Sequence, residues 1–162
     1  MSQAILFDKV LDSVPTEAHH LRAWFALLRC FSSIERVLMQ HIAQEYKSSL
    51  PRYDVLTALA MNKSGVTMGD LAVMLMVTKG NITGVVRRLE VDGLVNKVTS
   101  KKDRRIQSVT ISKPGLRLWN VMDKDYDRIV SKLLAGATDA QIRNLTSALE
   151  NTIRLIEKSA AD

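Results

Sequence analysis

The stretch that decides the fold spans residues 67–111 and reads TMGDLAVMLMVTKGNITGVVRRLEVDGLVNKVTSKKDRRIQSVTI. Its first half holds two short helical patterns, each preceded by a threonine, Thr67 and Thr78, of the kind that caps a helix. In its second half the apolar residues alternate with polar ones, which predicts strands over 94–99 and 106–111. The stretch therefore predicts a helix-turn-helix followed at once by a β-hairpin.

Both flanks of this stretch are predicted to be helical. On the amino-terminal side a short helix and then a long one should run to about Lys47, before Pro51 begins another. Two more helices should close the chain, starting near Pro114 and at Thr138. The predicted fold is mainly α with a small β-hairpin wing, a winged helix-turn-helix between helical flanks. The predicted division is 1–48 and 113–162 for the amino- and carboxy-terminal parts of a dimerisation lobe, and 49–112 for the winged helix-turn-helix.

The composition indicates an ordinary globular protein. The chain has 162 residues, with 46% hydrophobic and 25% charged, so its core needs neither metal nor disulfide. Its one cysteine, Cys30, excludes an internal disulfide and suits a reducing compartment. The first residues lack a signal-peptide pattern, and no apolar run is long enough to cross a membrane. We therefore predict a cytoplasmic protein in which Cys30, between Leu28 and Phe31, is a buried and inert thiol.

The positive charge is concentrated in one segment. The net charge is +6, and the residues from Lys79 to Arg105 include eight bases and three acids, which gives +5 of that total. The rest of the chain is nearly neutral. Positive charge concentrated in one short segment is typical of a surface that binds a polyanion.

The second helix of the helix-turn-helix has two contrasting faces. On a helical wheel, one face is apolar and the opposite face holds Gly80, Gly84 and Arg87, with Asn81 and Thr83 at its sides. Glycine in a helix costs about 1 kcal/mol relative to alanine, so two on one face need a reason. A bare backbone permits close approach, either to a neighbouring helix or to the major groove of DNA, where Asn suits adenine and Arg suits guanine. Thr78 and the first amides would hold a phosphate.

The tip of the hairpin is strongly basic. Four bases surround a single acid there: Lys101, Lys102, Asp103, Arg104 and Arg105. A solvated turn is the plain interpretation. Four bases in six residues favour instead contacts with phosphates or the narrow minor groove. The predicted DNA-binding residues before the tip are Thr78, Lys79, Gly80, Asn81, Thr83, Gly84, Arg87 and Arg88.

The sequence resembles the MarR family (multiple antibiotic resistance regulators) from about Leu50 to Gly115. The motifs that carry the resemblance are TMGDLA (67–72), VTKGNIT (77–83), RLE (88–90), DGLV (92–95), DRR (103–105) and TISKPG (110–115). The resemblance implies that the helix from Thr78 to Arg88 reads the major groove and that Arg105, supported by Asp103, enters the minor groove. It also implies a homodimer joined through the terminal helices, on a pseudo-palindromic site in double-stranded DNA. Gly80 and Gly84 depart from the larger polar residues common in the family.

A small effector is the other implication of the resemblance. The segments LPRYDVL (50–56) and MVTKGNITG (76–84) look like the branch that controls aromatic-acid or aryl-CoA catabolism. We therefore expect a repressor released by an aromatic acid or its CoA thioester. The predicted ligand-binding residues are His20, Trp24, Arg52 and Tyr53, which would offer a flat apolar surface and a cation for a carboxylate.

Catalysis has no support in the sequence. The histidines 19, 20 and 41 lack metal-ligand spacing, and neither a phosphate-binding glycine loop nor a nucleophile elbow is present. We predict no enzyme activity, no metal and no cofactor. Two alternatives to an operator-specific regulator stay open: a winged helix used for protein interaction, and a sequence-independent DNA-compacting protein.

Overall fold

A computed structural model describes residues 3–99 and 107–161 of the chain. Within these ranges there are seven helices and three strands, in the predicted order apart from one added strand. The elements are α1 (Gln3–Ser13), α2 (His19–Tyr46), α3 (Leu50–Met61), β1 (Val66–Thr67), α4 (Met68–Met74), α5 (Lys79–Val91), β2 (Val95–Thr99), β3 (Gln107–Ile111), α6 (Lys113–Leu134) and α7 (Asp139–Ala161).

Local chemistry of single residues sets several helix ends. The hydroxyl oxygen of Thr67 accepts a hydrogen bond from the Asp70 amide at the start of α4, and that of Thr78 does the same for Asn81 in α5. Pro51 stands in the first turn of α3, where its missing N–H costs nothing. Gly93, with φ of 69°, turns the chain after α5. These predictions from the sequence are confirmed.

The three strands form one antiparallel sheet in the order β1-β3-β2. The long β2–β3 pairing, with Lys97 opposite Val109, is the predicted hairpin. β1 adds a short edge on the other side of β3, with Val66 opposite Val109. The sequence did not predict β1, because two residues are too few to show an alternating pattern.

One apolar core supports the helix-turn-helix and the hairpin together. It is built from buried residues of α3, α4, α5 and the three strands, of which the most enclosed are Val55, Leu56, Ala58, Leu59, Val66, Leu71, Ile82, Val86, Leu89, Val95 and Val109. Because each of these elements contributes to one core, α5 is held with one face inward and its other face open to solvent.

The corner where the hairpin meets α6 is tightly constructed. The Ser112 hydroxyl donates to the Gly93 carbonyl at 2.7 Å and accepts from the Gly115 amide at 3.0 Å. The Ser112 amide donates to the Leu94 carbonyl at 3.0 Å. A Cβ atom added to Gly115 would lie 2.0 Å from the Leu94 carbonyl oxygen. This position therefore requires glycine because two backbone segments meet there.

Residue contacts divide the chain into two units, Met1–Asp127 and Arg128–Asp162. The first unit contains the core just described, and its α1 packs on α2. The second is largely α7, whose start is fixed by Thr138 and Gln141, each bonding the other's backbone amide. The predicted domain limits stay predictions. In the described ranges, no helix has the length and apolarity that crossing a bilayer requires.

The prediction for Cys30 is wrong, because its side chain is exposed. Much of the apolar stripe of α2 near it is exposed as well, including Trp24 at 52% and Phe31 at 60%. The periodicity correctly located an apolar face of α2, but within the described residues of one chain nothing covers that part of it.

Candidate nucleic-acid interface

The inward and outward faces of α5 are sharply different. Ile82, Val85, Val86 and Leu89 are all buried in the core. On the opposite side, a Cβ atom built on either Gly80 or Gly84 would meet nothing within 4 Å. The alternative in which these glycines pack against a neighbouring helix is therefore excluded within the described part of one chain.

The outward glycines are surrounded by exposed polar side chains. Those of Lys79, Asn81, Thr83, Arg87 and Arg88 are all open to solvent. The Thr83 hydroxyl donates to the Lys79 carbonyl at 2.7 Å, so this side chain has one fixed internal hydrogen bond. The Thr78 side chain caps the helix beside them. The structure thus gathers all eight predicted DNA-binding residues of this region on or beside one helix.

The acids near the end of α5 are neutralised by bases from other elements. Glu90 accepts from the Lys97 ammonium of β2 at 2.6 Å, and Asp92 accepts from the Arg52 guanidinium of α3 at 2.5 Å. In the ranges that the structure describes, Arg87 and Arg88 have no ion-pair partner. The surface of α5 consequently keeps an unbalanced positive charge, as a polyanion-binding face requires.

The hairpin strands are present, with Thr99 paired to Gln107 at the last described rung. The five predicted DNA-binding residues of the tip, Lys101, Lys102, Asp103, Arg104 and Arg105, lie outside the described residues. Their assignment remains a prediction from the sequence.

A cavity of about 290 Å³ lies between α3 and α5. Its lining is mostly apolar and also includes Asp54, Asn81 and Arg88. Burial, and secondly the nearby Glu35 carboxylate, raise the pKa of Asp54 to about 6. This acid therefore changes charge close to neutral pH.

The four predicted ligand-binding residues are distributed over two helices. His20 and Trp24 are exposed on α2. Tyr53 is buried, donates to Asp123 Oδ1 at 2.8 Å and stacks on Tyr126 with ring centres 5.0 Å apart. Arg52, its neighbour in sequence, faces Asp92 instead. The two consecutive residues of α3 thus have partners on different elements, Asp92 at the end of α5 and Asp123 in α6.

A polar network between α2, α3 and α6 was not predicted. Asp125 Oδ2 lies 2.8 Å from His41 Nε2 and accepts from the Tyr46 hydroxyl at 2.7 Å. The Trp119 indole donates to the Thr57 hydroxyl at 3.0 Å. These partners are 62 to 84 residues apart in sequence, and no local pattern in one sequence signals such pairs.

The architecture and the surface of α5 define a class of protein, the winged helix-turn-helix DNA-binding regulators. A family model described as MarR family matches residues 49–106. The chain is also 30% identical over 138 residues, 84% of its length and 77% of the relative's, to the transcriptional activatory protein BadR of Rhodopseudomonas palustris. We conclude that the chain belongs to the MarR family.

Two further similarities agree with this membership. The homoprotocatechuate degradative operon repressor of Escherichia coli is 29% identical over 86 residues, covering 53% of this chain and 58% of that protein. The crystal structure of a MarR family transcriptional regulator from Silicibacter pomeroyi superposes with a TM-score of 0.75 at 27% identity, covering 89% and 99% of the two chains. The chain is therefore a DNA-binding transcriptional regulator, and the prediction that it is not an enzyme is confirmed by its family.

Proposed function

We propose that this regulator binds a pseudo-palindromic operator as a homodimer, with α5 of each copy in the major groove. The observation that carries the proposal is the open, glycine-faced surface of α5 with exposed arginines beside it. Asn81 and Arg87 would contact adenine and guanine edges, and Thr78 with the first amides of α5 would hold a phosphate. Lys79, Thr83 and Arg88 would flank these contacts, and the basic hairpin tip would enter the neighbouring minor groove.

The exposed apolar faces of the terminal helices support the homodimer. α7 leaves Leu145, Ile153 and Ile156 substantially exposed, and α2 does the same with Leu21 and Phe31. Large apolar side chains in such numbers are typical of a surface that a partner covers. A two-fold dimer would place two copies of α5 about 34 Å apart, one turn of DNA.

A small aromatic acid or its CoA thioester is the proposed effector, and repression is the proposed mode. The named repressor of the homoprotocatechuate degradative operon supports both, whereas BadR is named as an activatory protein. His20, Trp24 and Tyr53 would supply aromatic and polar contacts. The Arg52 guanidinium is already paired with Asp92, so the proposed ligand site does not include it. The ligand would act through different affinities for two dimer geometries.

Selection of bound sites from random duplex DNA tests the proposed function. A regulator should enrich one palindromic site and prefer it over random DNA by about 10³-fold or more at a stated salt concentration. Equal affinity for all sequences would indicate a DNA-compacting protein, and no binding would indicate a protein-interaction module. Either result would overturn the proposal.

The effector is tested by repeating the binding measurement with aromatic acids and an aryl-CoA thioester. We expect operator affinity to fall with at least one of them. A promoter-reporter assay with the selected site then gives the direction of control. Operator affinity that no such compound changes would overturn the effector proposal alone.

A further inference from the structure

An open, basic cavity of about 410 Å³ adjoins the carboxy-terminal half of α5. Its lining consists of Arg52, Gly84, Arg87, Arg88, Val91 and Asp92. Three arginines against one aspartate leave a net charge of +2 around this cavity. A concave surface of that sign attracts an anion.

Arg52 is the one base in this lining that does not belong to α5. It extends from the first turn of α3 and bonds to Asp92, the residue that caps the end of α5. Its side chain is only 17% exposed, while that of Asp92 is 45% exposed. Packing and the ion pair hold Arg52 in place, so binding an anion there would cost little further side-chain entropy.

The cavity continues the open face of α5 described above. Gly80, Gly84, Arg87 and Val91 follow one another at intervals of three or four residues, which places them along one side of the helix. The cavity shares Gly84, Arg87 and Val91 with that side. The basic cavity and the glycine face are therefore parts of one surface.

The position of the cavity along α5 favours a backbone phosphate as the occupant. In helix-turn-helix proteins the first residues of the recognition helix contact the bases. Val91 lies about 16 Å further along the axis than Gly80 at the helical rise of about 1.5 Å per residue. That exceeds the width of the major groove, about 12 Å. With its first turn at the base edges and its axis inclined across the groove, α5 would bring its last turn against the sugar-phosphate strand that borders the groove.

We propose that Arg52, together with Arg88, binds one backbone phosphate of duplex DNA in this cavity, next to the base contact proposed for Arg87. Asp92 acts as a positioning residue that holds Arg52 toward the site. The helix α3, which lies outside the helix-turn-helix, would thus contribute directly to the DNA interface. This inference rests on the proposed docking of α5 in the major groove.

The test measures the salt dependence of operator binding for Arg52→Gln, Arg52→Lys and the control Lys132→Gln, which removes a base from the far end of α6. Each phosphate contact contributes about 0.9 to the slope of log K against log salt. Arg52→Gln should flatten the slope by about 0.9 per protomer, or about 1.8 for a dimer, equally on specific and random DNA. Arg52→Lys should keep most of the slope, and Lys132→Gln should keep all of it.

Three results would overturn the inference. The first is an Arg52→Gln protein with wild-type thermal unfolding and a wild-type salt slope. The second is a loss on the operator alone, because a phosphate contact acts on every sequence. The third is weakened binding of inorganic phosphate by Arg52→Gln with unchanged DNA affinity, which would assign the cavity to a free anion. Failure of the wild-type protein to prefer its selected site would instead overturn the proposed function.

Discussion

Replacing Gly84 by leucine separates the requirements of folding from those of DNA binding. The position is inside α5, its backbone is not in the left-handed region, and the space above it is empty. Leucine is nearly as good a helix former as alanine, and glycine is about 0.8–1.0 kcal/mol worse. We therefore expect Gly84→Leu to raise the free energy of unfolding by up to about 1 kcal/mol, or about 2–4 °C in Tm for a chain of this size.

The same substitution should weaken operator binding. Its side chain would occupy the space through which α5 approaches the groove floor, and would hold Asn81 and Arg87 away from the bases. A bidentate side-chain-to-base contact is worth about 1–3 kcal/mol of discrimination, and 1.4 kcal/mol is about tenfold in affinity. Loss of one such contact per half-site predicts a fall of at least about tenfold, with non-specific binding less affected.

Fluorescence anisotropy with an operator duplex and a scrambled duplex measures this effect. Gly84→Ala is the graded variant, since it gains the helix stability with little added bulk, and Gly136→Leu is the control at an open glycine outside the proposed interface. A Gly84→Leu protein that unfolds at or above the wild-type temperature and binds the operator with wild-type affinity would refute the assignment of this face.

Three further predictions concern other parts of the chain. Arg105→Ala should flatten the salt slope by about one unit per protomer, and an unchanged slope would contradict the minor-groove assignment of the hairpin tip. Gly115→Ala should lower the free energy of unfolding by about 1–3 kcal/mol through overpacking against the Leu94 carbonyl, whereas Gly136→Ala should not; equal denaturant midpoints would contradict this account. The pKa of Asp54 is raised by burial to about 6, so the folded state binds its proton more tightly than the unfolded state. Its contribution to stability should therefore grow as pH falls from about 7 toward 4, and Asp54→Asn should remove that part of the pH dependence; identical pH profiles for the two proteins would count against it.

The features predicted correctly from the sequence are those that local chemistry determines. Thr67 and Thr78 cap helices through contacts three residues away, and Gly93 turns the chain through its own backbone angle. The glycine face of α5 follows from the helical period alone. Each of these signals is contained in fewer than about fifteen consecutive residues.

The features that were missed depend on distant partners. Arg52 and Asp92 are 40 residues apart, so the sequence shows two charges but not their contact. β1 is a strand only because β3 lies beside it. Cys30 was predicted to be buried because its neighbours are apolar, yet periodicity identifies an apolar face without identifying what covers it. The same reason applies to the predicted effector-binding residues. Arg52 and Tyr53 are adjacent in sequence, but their side chains bond to different elements.

The corner at Ser112 has a mechanical consequence. The Ser112 hydroxyl joins the turn after α5 to the first turn of α6, and Gly115 packs directly against the Leu94 carbonyl. The end of α5 and the start of α6 should therefore move together. A force that tilts α6 at this point must swing α5 with it. In a two-fold assembly, a small change in the tilt of α6 would then alter the distance between the two copies of α5. Neither copy of the helix-turn-helix would need to change its own conformation.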